Sequence, residues 1–182
     1  MELVKGKVEV ELRGILSEEE FDNLSNNLKK RYSYERDNKK TLFYVTTGFI
    51  LKIETKKELD TFFLIVKNGD ETKNILEEIE VKLNISDLPK MIKILEILGY
   101  SKVNIVEQRR TNYFLEDNIV LSLKYTNDWG YHFEIEKMVK LFEAEKTKKK
   151  LADKCGFFNI KFMDGIEIAG KINEINKKHG FI

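Results

Sequence analysis

Residues Val8-Glu9-Val10-Glu11-Leu12-Arg13 alternate charged side chains with apolar ones. In a β-strand that period of two puts Glu9, Glu11 and Arg13 on one face and Val8, Val10 and Leu12 on the other. Carboxylates two residues apart on one strand face stand close enough to share a divalent cation. A guanidinium beside them suits a phosphate, so the combination points to a metal-bound polyphosphate. For one strand alone, an exposed antiparallel strand with a solvated face explains the same alternation.

Repetition shifts the balance towards a site. His132-Phe133-Glu134-Ile135-Glu136 again spaces two glutamates by two, and Glu78-Ile79-Glu80-Val81 repeats the pattern more weakly. Cations fall on other strand-like runs: Lys52 follows Phe49-Ile50-Leu51, Lys67 closes Phe62 to Val66, and Arg109-Arg110 sits between Val103 to Val106 and Tyr113-Phe114. If the sheet curls into a barrel, these polar faces converge on one lumen, where carboxylates hold metal and cations hold phosphate. An open sheet would leave them in water.

The elements that must position these side chains follow from composition and period. Runs rich in β-branched and aromatic residues predict strands near 4–13, 41–54, 61–67, 76–83, 102–115, 118–126 and 130–138. The second has a potential break at Thr46-Thr47-Gly48. A helix is expected from Ser17, with Glu20 completing a capping box and Phe21, Leu24 and Leu28 forming its apolar stripe. A second should run from Asp87 or Pro89 to Leu98 and close at Gly99. Glu143 to Lys154 reads as a charged helix ended by Gly156, and Ile166 to Lys178 as another. Mostly antiparallel strands with helices outside is an α+β plan.

The 182 residues include one proline and ten glycines with no linker-like stretch, which predicts a single domain over 1–182. A formal charge of +1, from 32 basic and 31 acidic side chains, argues against nucleic-acid binding. One cysteine excludes an internal disulfide framework. The polar N-terminus has no apolar signal core and no run approaches a bilayer-spanning length, so a soluble, cytoplasmic protein without a membrane partner is expected. The Lys146–Lys150 run reads as a solvated helix face and Cys155 as a small core residue. His132 and His179 are too few and too far apart in sequence for a histidine metal site.

Several of these segments together resemble a known family. Glu9-x-Glu11-x-Arg13, Lys67, Glu107-Gln108-Arg109-Arg110-Thr111-Asn112-Tyr113-Phe114 and Trp129-Gly130-Tyr131-His132-Phe133-Glu134-Ile135-Glu136 are similar to segments of the CYTH superfamily, the triphosphate tunnel metalloenzymes. Within it, Gly6 to Leu12, Leu98-Gly99-Tyr100 and a helical tail with Gly180-Phe181 resemble the class IV adenylyl cyclases. The resemblance implies an eight-stranded antiparallel β-barrel over about 4–138, with flanking helices and a helical part over about 139–182. Its tunnel would bind ATP or another triphosphate with Mg2+ or Mn2+. Glu9, Glu11, Glu134 and Glu136 would hold metal, while Arg13, Lys52, Lys67, Arg110 and, as a partial substitute for a missing cation, Arg109 would hold phosphate. Glu78, Glu80 and Lys124 are further candidate tunnel residues, and a homodimer is expected from the resembling cyclases.

The chain departs from the family pattern at four places. Lys124 stands where an aspartate is usual, Gln108 where a basic residue is, Glu54 where many members carry arginine, and Leu76 where an arginine often precedes the mid-chain carboxylates. The same carboxylates and cations serve two chemistries. A cyclase aligns the ribose 3′-hydroxyl with the α-phosphorus and releases pyrophosphate, whereas a triphosphatase directs water at the terminal phosphorus of tripolyphosphate, thiamine triphosphate or a nucleoside triphosphate. Cyclic AMP formation is the expectation carried by the opening motif and the tail. A non-catalytic triphosphate-binding module is the third reading.

Overall fold

The computed structural model describes residues 7–56, 59–69 and 75–181. Nine strands share one antiparallel sheet: β1 (Lys7–Ile15), β2 (Ser33–Arg36), β3 (Lys39–Tyr44), β4 (Phe49–Lys56), β5 (Thr61–Asn68), β6 (Ile75–Asn84), β7 (Val103–Phe114), β8 (Val120–Thr126) and β9 (Gly130–Lys140). The expected start of the first strand at residues 4–6, including Gly6, lies outside the described residues. The break expected near Gly48 is present between β3 and β4, with Gly48 at φ 82°.

The sheet closes on itself. Strands β3, β4, β5 and β6 form one meander, and β7, β8 and β9 form another. β1 bridges them on one side, with Val8 opposite both Glu77 of β6 and Val139 of β9. On the other side β3 pairs with β7, from Lys39 opposite Gln108 to Tyr44 opposite Val103. The ring therefore holds eight strands. The ninth, β2, continues the line of β3 along β7, pairing Ser33 with Phe114 through Arg36 with Thr111. The break between them is satisfied locally: Asp37 N–H donates to the Arg110 carbonyl at 2.9 Å, and Arg110 N–H donates to Asn38 Oδ1 at 3.1 Å. β2 was not expected, because Ser33-Tyr34-Glu35-Arg36 is exposed throughout and carries no alternation.

The apolar faces point outward. Val10, Leu12, Leu121, Leu123, Phe133 and Ile135 are covered by Leu24 and Leu28 of α1 (Glu18–Lys29) and by Leu151 and Cys155 of α3 (Ala144–Phe157). A second cluster places Leu51, Ile53 and Phe62 under Leu95 of α2 (Leu88–Ile97). Each fully buried Leu, Ile or Phe contributes about 2 kcal/mol relative to exposure, so the helices hold the barrel by its outer skin. The polar faces are left to the interior.

Helix ends follow the capping chemistry read in the sequence, with one correction. Ser17 caps α1 with the full Ser17–Glu20 box, and Pro89 occupies the first turn of α2. α3 runs through Gly156 to Phe157, and the left-handed residue after it is Asn159 at φ 54°. Asn tolerates that conformation, and the tightening expected at Gly156 falls three residues later. Asp164 caps α4 (Gly165–Lys178), accepting from Ile166 and Glu167 N–H at 2.8 and 2.9 Å. No described helix is long and apolar enough to cross a membrane.

Candidate functional site

Inward alternation from all the ring strands lines a cavity of about 470 Å³. Register fixes its walls. Glu11 on β1 stands opposite Glu136 on β9, Arg13 opposite Glu134, Lys67 on β5 opposite Glu78 on β6, and Arg110 on β7 opposite Lys124 on β8. α4 and the residues after it lie across one end, where Ile172, Ile175 and Phe181 line the cavity with Phe43 and Trp129. That cover is tied to the β8–β9 turn: Asp128 accepts from Lys178 Nζ at 2.8 Å and from Asn104 Nδ2 at 3.3 Å, and meets His179 Nε2 at 3.0 Å.

Three of the expected metal ligands come together. Glu9, Glu11 and Glu136 each place a carboxylate oxygen within 4.8 Å of the others. Hard oxygen donors in a cluster of this size fit a divalent cation of the Mg2+ or Mn2+ kind. Their charge is balanced by cations at contact distance. Lys67 Nζ donates to Glu9, lies 3.7 Å from Glu11 and 3.0 Å from Glu78, and the Arg13 guanidinium donates to Glu11. Burial works against the Lys67 charge, yet Glu9 and Glu78 together hold its pKa above the usual lysine value. Arg110 donates to Glu136 at 3.3 Å and is aimed by Asn112, which also accepts from Ser122 at 2.8 Å.

The fourth expected ligand is set apart. Glu134 accepts from Lys124 Nζ, and its other oxygen lies 4.0 Å from Arg13 Nε. Burial raises its pKa, but Lys124 and Arg13 outweigh burial and hold it well below the usual range. Lys124 itself is brought down to about 8, by burial first and by Arg110 next. His132, on the same inner face, is lowered to about 4 because burial penalises the imidazolium more than Glu134 favours it.

A second charged cluster sits along β3 and β4. Glu54 accepts from Lys39 and Lys52 at 2.7 Å each, and the two ammoniums overcome burial to hold its carboxyl well below the normal value. Asp37, in the β2–β3 break, meets Lys56 at 2.6 Å and Lys39 at 3.4 Å. Glu54 thus keeps both lysines in place where an arginine was expected from the family pattern. Lys39 precedes the apolar run that marks this strand in the sequence, so its place at the lumen carries no local signal, although it is in phase with inward Thr41. Asp37 lies in the loop-like break and gave no periodic signal.

Arg109 corrects the phosphate-binding set. Alternation on β7 turns it away from the lumen that Gln108 and Arg110 face, and its guanidinium lies over the Tyr125 ring, 4.4 Å from the centroid. It does not replace the cation missing at Gln108, which itself lines the cavity. Glu78, Glu80, Lys52, Lys67, Lys124 and Arg13 all do line it.

Comparison with known proteins agrees with this architecture. No curated protein sequence matches the chain. A protein of Pyrococcus horikoshii OT3 superposes with TM-score 0.72 at 21% identity, covering 88% of this chain and 97% of that one. A candidate adenylate cyclase of Vibrio parahaemolyticus gives TM-score 0.64 at 21% identity over 86% and 91%. A candidate adenylyl cyclase of Hippeastrum, described as having a dominant triphosphatase activity, gives 0.60 at 16% over 86% and 89%. At these identities the likeness is one of fold. The family model for the CYTH domain matches residues 7–156, from the first barrel strand through most of α3, and the chain belongs to the CYTH domain family.

Proposed function

We propose that this protein is a divalent-metal-dependent enzyme that cleaves a triphosphate carrying an organic headgroup, by hydrolysis of a phosphoanhydride. The observation that carries the reading is the change of character along one cavity. A three-carboxylate cluster and a set of lysines and arginines line one part of it, and Phe43, Trp129, Ile172, Ile175 and Phe181 line the part that α4 and the residues after it cover. A phosphate chain suits the first part, and an apolar, flat group suits the second. Inorganic tripolyphosphate has nothing to place there.

Glu9, Glu11 and Glu136 would hold Mg2+ or Mn2+, which supplies Lewis-acid polarisation of phosphoryl oxygens. Lys67, which meets Glu78 at 3.0 Å as well as Glu9, would hold the phosphate chain alongside Arg13, Lys52 and Arg110, which line the same cavity. Fixed cations of this kind catalyse by positioning the chain and stabilising the charge that moves onto the leaving group. Water attacks the terminal phosphorus, and the products are orthophosphate and the diphosphate, with one proton released.

Cyclisation of ATP to cyclic AMP and pyrophosphate is the second reading, favoured by the Gly6 to Leu12 opening and the Gly180-Phe181 tail of the sequence. It needs one centre to lower the pKa of the ribose hydroxyl and another to neutralise departing pyrophosphate. A single acidic cluster among the described residues favours hydrolysis. Incubation with ATP, and separately with tripolyphosphate, in Mg2+ or Mn2+ distinguishes them by phosphorus NMR. Orthophosphate from ATP, faster than from tripolyphosphate, is expected. Cyclic AMP with pyrophosphate would establish the cyclase, and saturable binding with no product would make the protein a binding module.

A further inference from the structure

We infer that the tunnel takes one divalent cation, at Glu9, Glu11 and Glu136, and that the Lys124 ammonium fills the place beside Glu134 where a second would sit. The inference rests on the metal-dependent reading of the same site. Glu134 has the position of a ligand: it shares the inner face of β9 with Glu136, two residues away, and stands opposite Arg13 across the β1–β9 ladder. It has the surroundings of an acid already neutralised. Lys124 donates to Oε2, and Arg13 Nε stands 4.0 Å from Oε1. A divalent ion arriving at Glu134 would meet two positive groups at close range and in little water, since the Lys124 side chain is 5% exposed and that of Glu134 14%. Such repulsion is weakly screened when the charges are buried.

Lys67 and Lys124 both bond tunnel glutamates, yet they differ in freedom to yield. Lys67 touches Glu78 at 3.0 Å as well as Glu9, so a metal on Glu9 and Glu11 leaves it a carboxylate partner. Lys124 has no second carboxylate at ion-pair distance among the described residues, and the other acid that acts on it, Glu136, is one of the three proposed cation ligands. Its neighbours across the two ladders are Arg110 on β7 and His132 on β9, so leaving Glu134 would push an ammonium against a guanidinium. The chain has thus built into the strand a monovalent cation tethered by its own side chain, where a diffusible divalent one would otherwise be needed. The phosphate chain then arrives with a single ion, and the charge beside Glu134 is present before it binds.

The test uses Mn2+ alone, titrated into the metal-stripped full-length protein, with free and bound ion counted by electron paramagnetic resonance and equilibrium dialysis. One Mn2+ per chain is expected, with affinity falling at least tenfold in Glu136→Gln. Lys124→Asp, which removes the ammonium and adds a carboxylate, should bind a second ion and show the broadened spectrum of two neighbouring Mn2+ ions. Two ions in the unaltered protein would overturn the inference and leave the metal-dependent reading intact. A folded Lys124→Asp variant that still binds one ion would also overturn it. No Mn2+ binding at all would overturn both, and if Lys124→Asp fails to fold, the count in the unaltered protein still decides.

Discussion

Replacing Glu54 by glutamine should make the protein less stable and a better ligand for tripolyphosphate. Glu54 is 7% exposed and accepts from Lys39 and Lys52 at 2.7 Å. At an effective dielectric constant of 20, each contact is worth about 6 kcal/mol of attraction. Desolvation of the three ions offsets most of that, but removing only the acid leaves two buried ammoniums without it, which costs about 3–5 kcal/mol. Glutamine keeps one carbonyl acceptor, so the lower end, about 3 kcal/mol, is expected. The same change removes a negative charge from the wall of the cavity proposed to bind the phosphate chain. Tripolyphosphate should bind the metal-free variant about tenfold more tightly, equivalent to ~1.4 kcal/mol, because Lys52 regains an anionic partner and Lys39 gains one beside Asp37. Urea unfolding of metal-free protein, followed by Trp129 fluorescence, reads the first effect, and calorimetric titration the second. A double-mutant cycle with Lys52→Met should give a coupling of at least ~1 kcal/mol. A stability loss within ~0.5 kcal/mol, the size of a surface change, or weaker tripolyphosphate binding would refute the reasoning.

Leu12 is fully buried between β1 and the covering helices, and Leu12→Ala should cost about 3 kcal/mol, read as a lower urea midpoint at unchanged slope. Gly14→Ala should destabilise by about 2 kcal/mol or more, because a Cβ there runs into the Lys161 carbonyl oxygen and the Phe133 ring, and backbone cannot step aside cheaply. His132 is buried and its pKa is about 4, against 6.5 for the free side chain. The unfolded chain therefore binds the proton first: stability attached to the neutral ring is complete above pH 6.5 and is lost as pH falls towards 4, by up to about 3 kcal/mol. Thermal melts of metal-free protein between pH 7 and 4.5 should show this slope, and His132→Phe should flatten it.

The inner face was legible wherever alternation was strict. Glu9, Glu11 and Arg13 lie where the period of two puts them, because a strand with an apolar covered side has no choice of register. The Ser17–Glu20 box was legible for a similar reason, since unpaired N–H groups at a helix start demand that chemistry. Arg109 and Arg110 were not separable, because adjacent residues differ only in phase and the apolar residues before them leave that phase open. β2 was invisible because an exposed strand that merely prolongs β3 needs no apolar face. The ion-pairing of the lumen could not be read either. Which lysine serves Glu9 and which serves Glu134 depends on contacts between β5 and β1 and between β8 and β9, and strand pairing, not local pattern, decides those.

Closure of the ring has a consequence for how the protein is made. The two meanders are wired by neighbouring segments of chain, but β1 must find β9 across more than a hundred residues, from Lys7 opposite Lys140 to Ile15 opposite His132. Contacts that distant form late and slowly, after local pairings have repaid their loop entropy. The three-carboxylate cluster is divided by that same seam, with Glu9 and Glu11 on β1 and Glu136 on β9. Neither meander alone holds it, and a nascent chain acquires the proposed cation-binding centre only once β9 has been synthesised and docked. Mn2+ uptake during refolding thus reports on the zipping of one seam, and separates a closed barrel from a collapsed chain with the same strand content.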